Sequence, residues 1–345
     1  MTTIKTGVIG YGFSATTFHI PFVKTLPQFE LSAISTSKVD TARADYPEAQ
    51  VYVSADELIS DPTLNLVIIT APNDVHFSLA KAALEAGKHV ILEKPFVTNV
   101  QDGETLIALA HAKGLNLSVY QNRRWDGDFL TVKQLINDGT IGDIKWFESH
   151  MDRFRPDVRD RWREKATVDG SGILFDLGAH LIDQALQLFG IPTTITAQCR
   201  SLRQKGGAND FFNIMLDYGD KLVQLHANPF SPEPNLRFKL LGSKGKYCKY
   251  GFDPQEARLK DGLAPDSATW SQETKEQFGQ LHFESHSEVM PTVVGGYEHF
   301  FNGVADAING VGPNPVPASD ALITMKLMDL AVKSSELKQT IEVKL

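Results

Sequence analysis

Cysteine is scarce: Cys199 and Cys248 are the only two in 345 residues. Two thiols cannot build a disulfide framework. A chain of this length buries about three quarters of its unfolded surface and needs no disulfide or metal staple. A reducing cytoplasm is the expected location, and no metal site is expected. An excess of basic charge is also missing. The 34 Lys and Arg residues stand against 42 Asp and Glu, a net charge of −8, which weighs against a protein that tracks nucleic-acid phosphates. No apolar run approaches the roughly 18 residues of a membrane span. The amino-terminal stretch lacks the basic and then apolar regions of a secretory signal. Internal repeats and low-complexity segments are absent as well. What is present is an ordinary globular composition, 42% hydrophobic and 22% charged. At about 150 residues per domain the chain predicts two domains.

The first third alternates strand and helix signals. Val8-Ile9 closes a short apolar run, and Leu31–Ile34, Leu66–Ile69, His89–Leu92 and Leu117–Val119 read as further strands. His76 to Ala86 carries apolar residues at helical spacing and is stopped by Gly87. Short buried strands alternating with helices mean βαβ units and a parallel sheet. After Asn122 the pattern changes. A helix over Phe129–Asn137 precedes a strand at 144–151, and one strong helix at 174–188 is followed by mostly β signals. Phe211–Leu216 with Leu222–His226, and Leu236–Leu241 with Lys246–Tyr250, read as two antiparallel hairpins. Such a series predicts an open, largely antiparallel sheet with helices on one face. Residues 251–290 show no clear periodicity and read as a long irregular stretch. A helix over Tyr297–Asn309 follows. A last one runs from an N-cap at Ser319 to Ser335, with Leu322, Met325, Met328 and Val332 as its core stripe.

Gly10-Tyr11-Gly12-Phe13-Ser14-Ala15 directly follows the first strand and opens a helix. In that position the first Gly allows a tight turn and the second lets backbone approach a pyrophosphate. A small third residue permits close helix–strand packing. The expected ligand is a dinucleotide, with its phosphates against Gly10, Tyr11, Gly12 and Phe13. A protein selecting NAD usually places Asp or Glu about 20 residues beyond the glycines to bind the ribose hydroxyl. Here Ser35-Thr36-Ser37-Lys38 stands at that place, and Asp40 should already lie in the next helix. Hydroxyls and an ammonium suit a 2′-phosphate, so NADP(H) is expected over NAD(H).

Lys94, in Glu93-Lys94-Pro95, follows the strand 89–92 at the carboxyl end, where ligands of open parallel sheets bind. Asp176 and His180 are four apart, which on a helix puts both on one face. Gly170-Ser171-Gly172 leads into them and would let a substrate or cofactor come close to the backbone. The Arg153–Arg163 run holds five arginines and two aspartates. Three readings stand for it: internal ion pairs, an anionic substrate, or the cofactor's phosphates.

In order and spacing, several of these pieces resemble the Gfo/Idh/MocA oxidoreductases, which include glucose–fructose oxidoreductase and inositol dehydrogenase. They are the glycine turn, Ala71-Pro72-Asn73-x-x-His76, Glu93-Lys94-Pro95, Asn122-Arg123-Arg124 and Asp176-x-Gly178-x-His180-x-x-Asp183. The resemblance covers nearly the whole chain. The sequence departs from it at Ser171, where the family often has Gly, and at Thr36, where NAD-dependent members often have an acid. The resemblance implies a Rossmann domain at 1–120 and an α/β domain at 121–345. The open sheet of the latter often builds a homo-oligomer, here a dimer or tetramer, and the final helix at about 319–335 can pack back on the first domain. It also implies a catalytic set matched by Lys94, Asp176 and His180. Pro72, Asn73, His76, Glu93 and Lys94 are implied to line the cofactor groove, and Trp162 and Arg163 to reach the dinucleotide. Arg123, Arg155 and Arg159 are the candidate substrate contacts.

The function expected is an NADP(H)-preferring oxidoreductase, with NAD(H) as the alternative cofactor. Its substrate would be the carbinol or carbonyl of a sugar, a polyol or a related small molecule. Two alternatives remain: a dinucleotide-binding regulator without turnover, and an NAD-dependent glycosidase that oxidises its sugar transiently.

Overall fold

The computed structural model describes residues 3–160, 164–167, 170–203, 207–267 and 269–345. The chain forms two compact units. One comprises residues 1–122, 255–270 and 296–322; the other comprises 123–254, 271–295 and 323–345.

The first unit is built on six parallel strands: β1 (Ile4–Ile9), β2 (Phe29–Ser35), β3 (Gln50–Tyr52), β4 (Leu66–Ile69), β5 (His89–Leu92) and β6 (Leu117–Val119). Their order is β3-β2-β1-β4-β5-β6, that of the doubly wound dinucleotide-binding fold. Val8, Leu66–Ile69 and Ile91–Leu92 are completely buried, because helices cover both faces of a parallel sheet. Those helices are α1 (Ile20–Thr25), α2 (Val39–Asp45), α3 (Ala55–Ile59), α4 (His76–Glu85) and α5 (Val100–Lys113). Their ends follow local chemistry. Ser54 and Glu57 cap α3 reciprocally, the Asn99 side chain accepts from Asp102 N at 2.9 Å, and α5 stops at left-handed Gly114. The edge strand β3, in which only Val51 is buried, left no apolar run to register in the sequence.

Beyond Asn122 come α6 (Gly127–Asn137), β7 (Ile144–His150), α7 (Ala179–Phe189) and β8 (Thr194–Arg200). The hairpin strands β9 (Phe211–Asp217) with β10 (Leu222–Ala227) and β11 (Leu236–Gly242) with β12 (Lys246–Tyr250) follow. The stretch expected to be irregular contains α8 (Gln255–Lys260) and a further hairpin, β13 (Gly279–His282) with β14 (Ser287–Met290). The chain closes with α9 (Glu298–Ile308), α10 (Ala318–Leu337) and β15 (Ile341–Glu342). Ser319 is therefore inside α10 rather than its cap.

The first unit's extra segments have a clear physical cause. Phe22 of α1 stacks on Phe301 of α9, with ring centroids 5.0 Å apart, and meets Trp270 edge-on at 5.7 Å. Tyr120 meets Phe300 at 5.0 Å. Each of these rings is nearly or completely buried. The boundary read near residue 120 misses these segments, because aromatic residues some 150 positions or more downstream complete this core.

The second unit's sheet has nine strands in the order β14-β13-β12-β11-β7-β10-β9-β8-β15. All pairs are antiparallel except β7 with β10. One face packs Phe147, Phe212, Ile214, Val223, Leu225 and Leu240 into a continuous core. Phe129 and Val132 of α6, Leu181 and Ile182 of α7 and Met328 of α10 join the same core. Alternation along β9 and β10, and along β7 from Phe147 to His150, turns the other residues to the opposite face.

A buried ion pair ties β12 to the segment before β13. Lys249 Nζ lies 3.0 Å from Glu273 Oε1, both side chains being essentially inaccessible, and Lys249 also donates to Gln277 O at 2.7 Å. Lys249→Met leaves Glu273 buried without its cation. It should cost about 3–5 kcal/mol, read as a lower urea midpoint by circular dichroism, and the double change Lys249→Met/Glu273→Met should recover most of that loss.

Candidate active site

The sheet order of the first unit reverses on either side of β1, and the loops after β1, β2, β4 and β5 leave from its carboxyl edge. Gly10 ends β1 with φ +99°, and its N–H donates to Ser35 O at 2.9 Å. A Cβ there would strike Thr70 Oγ1 at 2.6 Å, so only glycine makes this turn. At Gly12 a Cβ would meet nothing within 4 Å. The second glycine thus leaves backbone open to an incoming group, which fits a dinucleotide pyrophosphate. Tyr11 is turned aside and donates to Asp45 Oδ2 at 2.5 Å, while Phe13 is exposed. The small third residue, Ala15, is completely buried.

At the end of β2 the four expected phosphate contacts divide. Ser35 and Thr36 are buried, and the Thr36 hydroxyl accepts from Lys38 N at 3.0 Å. Ser35 belongs to the strand ladder between Ile9 and Tyr52. Ser37 and Lys38 are exposed, and Asp40 lies within α2 as expected. Of the four, only the side chains of Ser37 and Lys38 are open to solvent.

The end of β5 holds a half-buried carboxylate. Glu93 Oε1 accepts from the Ser14 hydroxyl and lies 2.9 Å from His19 Nε2, while Oε2 accepts from Lys94 N at 3.0 Å. Glu93 is therefore tied into the interior of the site rather than held at the surface. Burial pushes its carboxyl up, but His19, Ser14 and Lys94 together hold it at about 2. Neither Ser14 nor His19 was singled out in the sequence. They are five residues apart, and the segment Ala15–His19 is a π-helix, in which positions five apart become neighbours. His19 is itself completely buried, against the ring of Tyr120 at 4.3 Å.

Lys94 is half-buried and joined to Pro95 by a cis bond. His76, the first residue of α4, sits beneath this turn. Its Nδ1 lies 3.0 Å from Pro95 O and its Nε2 3.0 Å from Ala71 O, and the ring is fully buried. Burial lowers its pKa. His76 was implied to line the cofactor groove. The neutral ring has one N–H to donate to one of these carbonyls, and it packs between the loop after β4 and the loop after β5 that carries Lys94. Pro72 is exposed and Asn73 half-buried at the start of a short 3-10 turn, Asn73–Val75.

In the second unit the expected single helix at 174–188 is in two parts. Leu174–Gly178 is π-helical, and α7 continues from Ala179. Asp176 is half-buried on the π-turn; His180 is buried in the first turn of α7. Gly172 ahead of them has φ +89°, and a Cβ on it would lie 2.8 Å from the Asn209 side chain. Its close neighbour is thus the chain's own Asn209, not a substrate. Asn209 Oδ1 and O accept from Leu174 N and Ile173 N at 3.0 and 2.8 Å, fixing the start of the π-turn.

The far side of α7 is anchored by arginines. Arg124 grips Asp183 through two bonds of 2.6 and 2.8 Å. Fully buried Arg237 reaches Gln184 Oε1 at 2.9 Å and Ser149 Oγ at 2.8 Å, with Asp128 3.3 Å away. Arg123, a candidate substrate contact, is buried and paired with Asp126 at 3.2 Å. Arg155 and Arg159 are exposed, with their backbones fixed: Arg155 N donates to Pro229 O and Arg159 N to Glu164 Oε2, each at 2.8 Å. Trp162 and Arg163 lie outside the described residues.

Two family models cover successive stretches of the chain. Residues 4–121 fit the model of the Gfo/Idh/MocA oxidoreductase family, NAD-binding Rossmann fold, and residues 133–345 fit its C-terminal alpha/beta domain. The chain belongs to the Gfo/Idh/MocA oxidoreductase family. It is similar to the uncharacterized oxidoreductase YdgJ of Escherichia coli, with 43% identity over 98% of both chains. It is also similar to the scyllo-inositol 2-dehydrogenase (NADP(+)) IolW of Bacillus subtilis, at 38% identity over 98% of this chain and 96% of that one. Among solved structures, YvaA of Bacillus subtilis superposes with a TM-score of 0.95 at 37% identity, over 99% of both chains. As a Gfo/Idh/MocA member the protein is an oxidoreductase that uses a nicotinamide dinucleotide. Among the described residues no helix is long and apolar enough to cross a membrane.

The Glu93 site has a measurable acid signature. The folded carboxyl titrates at about 2, against about 4.3 in an unfolded chain. Its contribution is complete above the unfolded value and is lost as pH falls from there through about 2. Glu93→Gln should remove about 3 kcal/mol of stability at neutral pH. The gap from wild type should close between about pH 4.3 and 2, as urea titrations at stepped pH would record.

Proposed function

We propose that the protein is an NADP(H)-preferring oxidoreductase that interconverts a carbinol and a carbonyl in a sugar, polyol or related small molecule. The cofactor preference rests on the end of β2: exposed Ser37 and Lys38, and no carboxylate before Asp40, which is already inside α2. Similarity to IolW, whose name carries both NADP(+) and a cyclic polyol, supports the same reading. Gly10, Gly12 and the loop residues Pro72 and Asn73 would hold the dinucleotide, which when bound supplies the hydride acceptor or donor.

The chain's own residues handle the proton and the oxygen. Oxidising a carbinol requires the hydroxyl proton to leave as hydride departs from carbon. An imidazole, with a reference pKa of about 6.5, suits that transfer near neutral pH. His180 takes the proton in oxidation and returns it in reduction. Asp176 orients the imidazole or relays the proton onward. Lys94 holds the substrate oxygen and stabilises the negative charge that develops on it. The buried ring of His76 and the carboxylate of Glu93 keep the Lys94 turn in place.

Paired titrations of NADPH and NADH, followed by energy transfer from the four tryptophans, test the cofactor reading. NADPH should bind more tightly, and Lys38→Glu should weaken NADPH by more than about tenfold, equivalent to roughly 1.4 kcal/mol, while sparing NADH. Equal affinities for the two cofactors would end the preference. For the proton, His180→Ala should lower turnover by about 10²–10⁴-fold with NADPH affinity unchanged. Near-normal turnover in that variant would remove His180 from its role.

A further inference from the structure

The open face of the nine-stranded sheet carries a cluster that the redox reading does not use. β7 and β10 run parallel with His150 paired to His226, and alternation turns both imidazoles away from the core. Their ring centroids are 5.1 Å apart. Two residues past His150 the chain brings a buried carboxylate between them. Asp152 Oδ1 lies 2.8 Å from His226 Nδ1, and Oδ2 lies 3.3 Å from His150 Nδ1. One donor atom from each of the three residues falls within 4.8 Å of the other two. The side chains are largely withdrawn from solvent, with exposures of 13%, 9% and 17% for His150, Asp152 and His226.

We propose that His150, Asp152 and His226 form a site for a zinc-like divalent cation, held by three protein ligands with a fourth position for water. Two imidazole nitrogens and one carboxylate oxygen are the donor set such an ion takes, whereas magnesium and calcium favour all-oxygen sites. Ligands at about 2.0–2.2 Å in a tetrahedron stand roughly 3.3 Å from each other, close to the two carboxylate–imidazole separations observed here.

The surroundings supply a second, independent feature. If His150 binds through Nδ1, its Nε2 must carry the proton; Glu148 Oε2 stands 3.3 Å from it, near enough to accept after a small rotation of the ring, although no hydrogen bond is made as the ring now lies. A carboxylate behind the ligating imidazole is the usual outer partner of a metal-bound histidine. Glu148 is itself fixed, accepting from Trp146 Nε1 at 2.6 Å and Lys239 Nζ at 2.9 Å. Asp152 Oδ1 is oriented by Asn228 N at 3.0 Å.

The cation would clip together the ends of two strands and the chain that follows. Beyond the cluster, Arg153 N donates to Asn228 O at 2.9 Å and Arg155 N to Pro229 O at 2.8 Å. The site thus sits at the root of the segment that carries Arg155 and Arg159. Its role is structural, and it is independent of the nicotinamide chemistry.

The test uses the full chain without a histidine tag, stripped of metal by a chelator. Zinc calorimetry should find one equivalent per chain with a Kd of about 1 µM or tighter. His226→Gln and Asp152→Asn should each weaken binding at least about tenfold, while His282→Gln and His286→Gln on the β13–β14 hairpin should change nothing. Absence of binding, or binding unaltered in both ligand variants, would overturn the proposal. X-ray absorption at the zinc edge of the wild-type complex gives a reading that needs no variant. Two imidazole shells support the site, and any other number refutes it.

Discussion

The geometry of the second unit depends on buried guanidinium groups. Arg124 clamps Asp183 through a fork, and Arg237 joins Gln184, Ser149 and Asp128 with no exposure to water. Charges taken this far from solvent are costly unless each is met by partners in a fixed arrangement. A small rotation or slide of α7 would break the fork at Asp183 and the bond at Gln184 together. Apolar packing alone tolerates such slides; a planar fork does not. This is why His180, three and four residues earlier on the same helix, has a defined place.

The first unit applies the same logic with the opposite charge. Glu93 gathers the π-turn behind the glycine loop and the backbone of Lys94 into one cluster. The buried ring of His76 fills the space between the two loops beside it, with Pro95 O and Ala71 O each 3.0 Å from one of its nitrogens. Lys94 therefore stands on a loop, and Asp176 and His180 on a helix, each held by polar contacts around it. That rigidity is what keeps a reacting group in position over many cycles.

Much of this was legible in the sequence, and the limits have physical causes. Alternating apolar runs and helical spacing marked five of the six parallel strands and the helices α4, α6, α7, α9 and α10. The turn at Gly10 and the hairpins β9–β10 and β11–β12 were equally plain, since each is a local pattern. The π-turns were not, because one extra residue per turn leaves no mark on hydrophobic spacing. For that reason the link from Ser14 and His19 to Glu93 stayed hidden. Burial of Ser35, Thr36 and Arg123 depends on what the rest of the chain lays over them. Gly172 was read correctly as a close-approach position and given the wrong neighbour. Asp152 and His226, 74 residues apart, meet only because β7 and β10 are neighbours in the sheet.

The aromatic stack of Phe22 on Phe301 has a bearing on how the protein is made. The sheet of the first unit is complete once residue 119 has been synthesised, but its core is not. The rings that cover Phe22 and Tyr120 arrive about 180 residues after the last strand. At translation rates of about 5–20 residues per second, that interval is roughly 10–40 s. Throughout it the nascent unit presents an uncovered aromatic face to the ribosome exit and to any chaperone waiting there. The order of the chain therefore leaves this aromatic core open until late in synthesis, although the sheet it covers is complete long before.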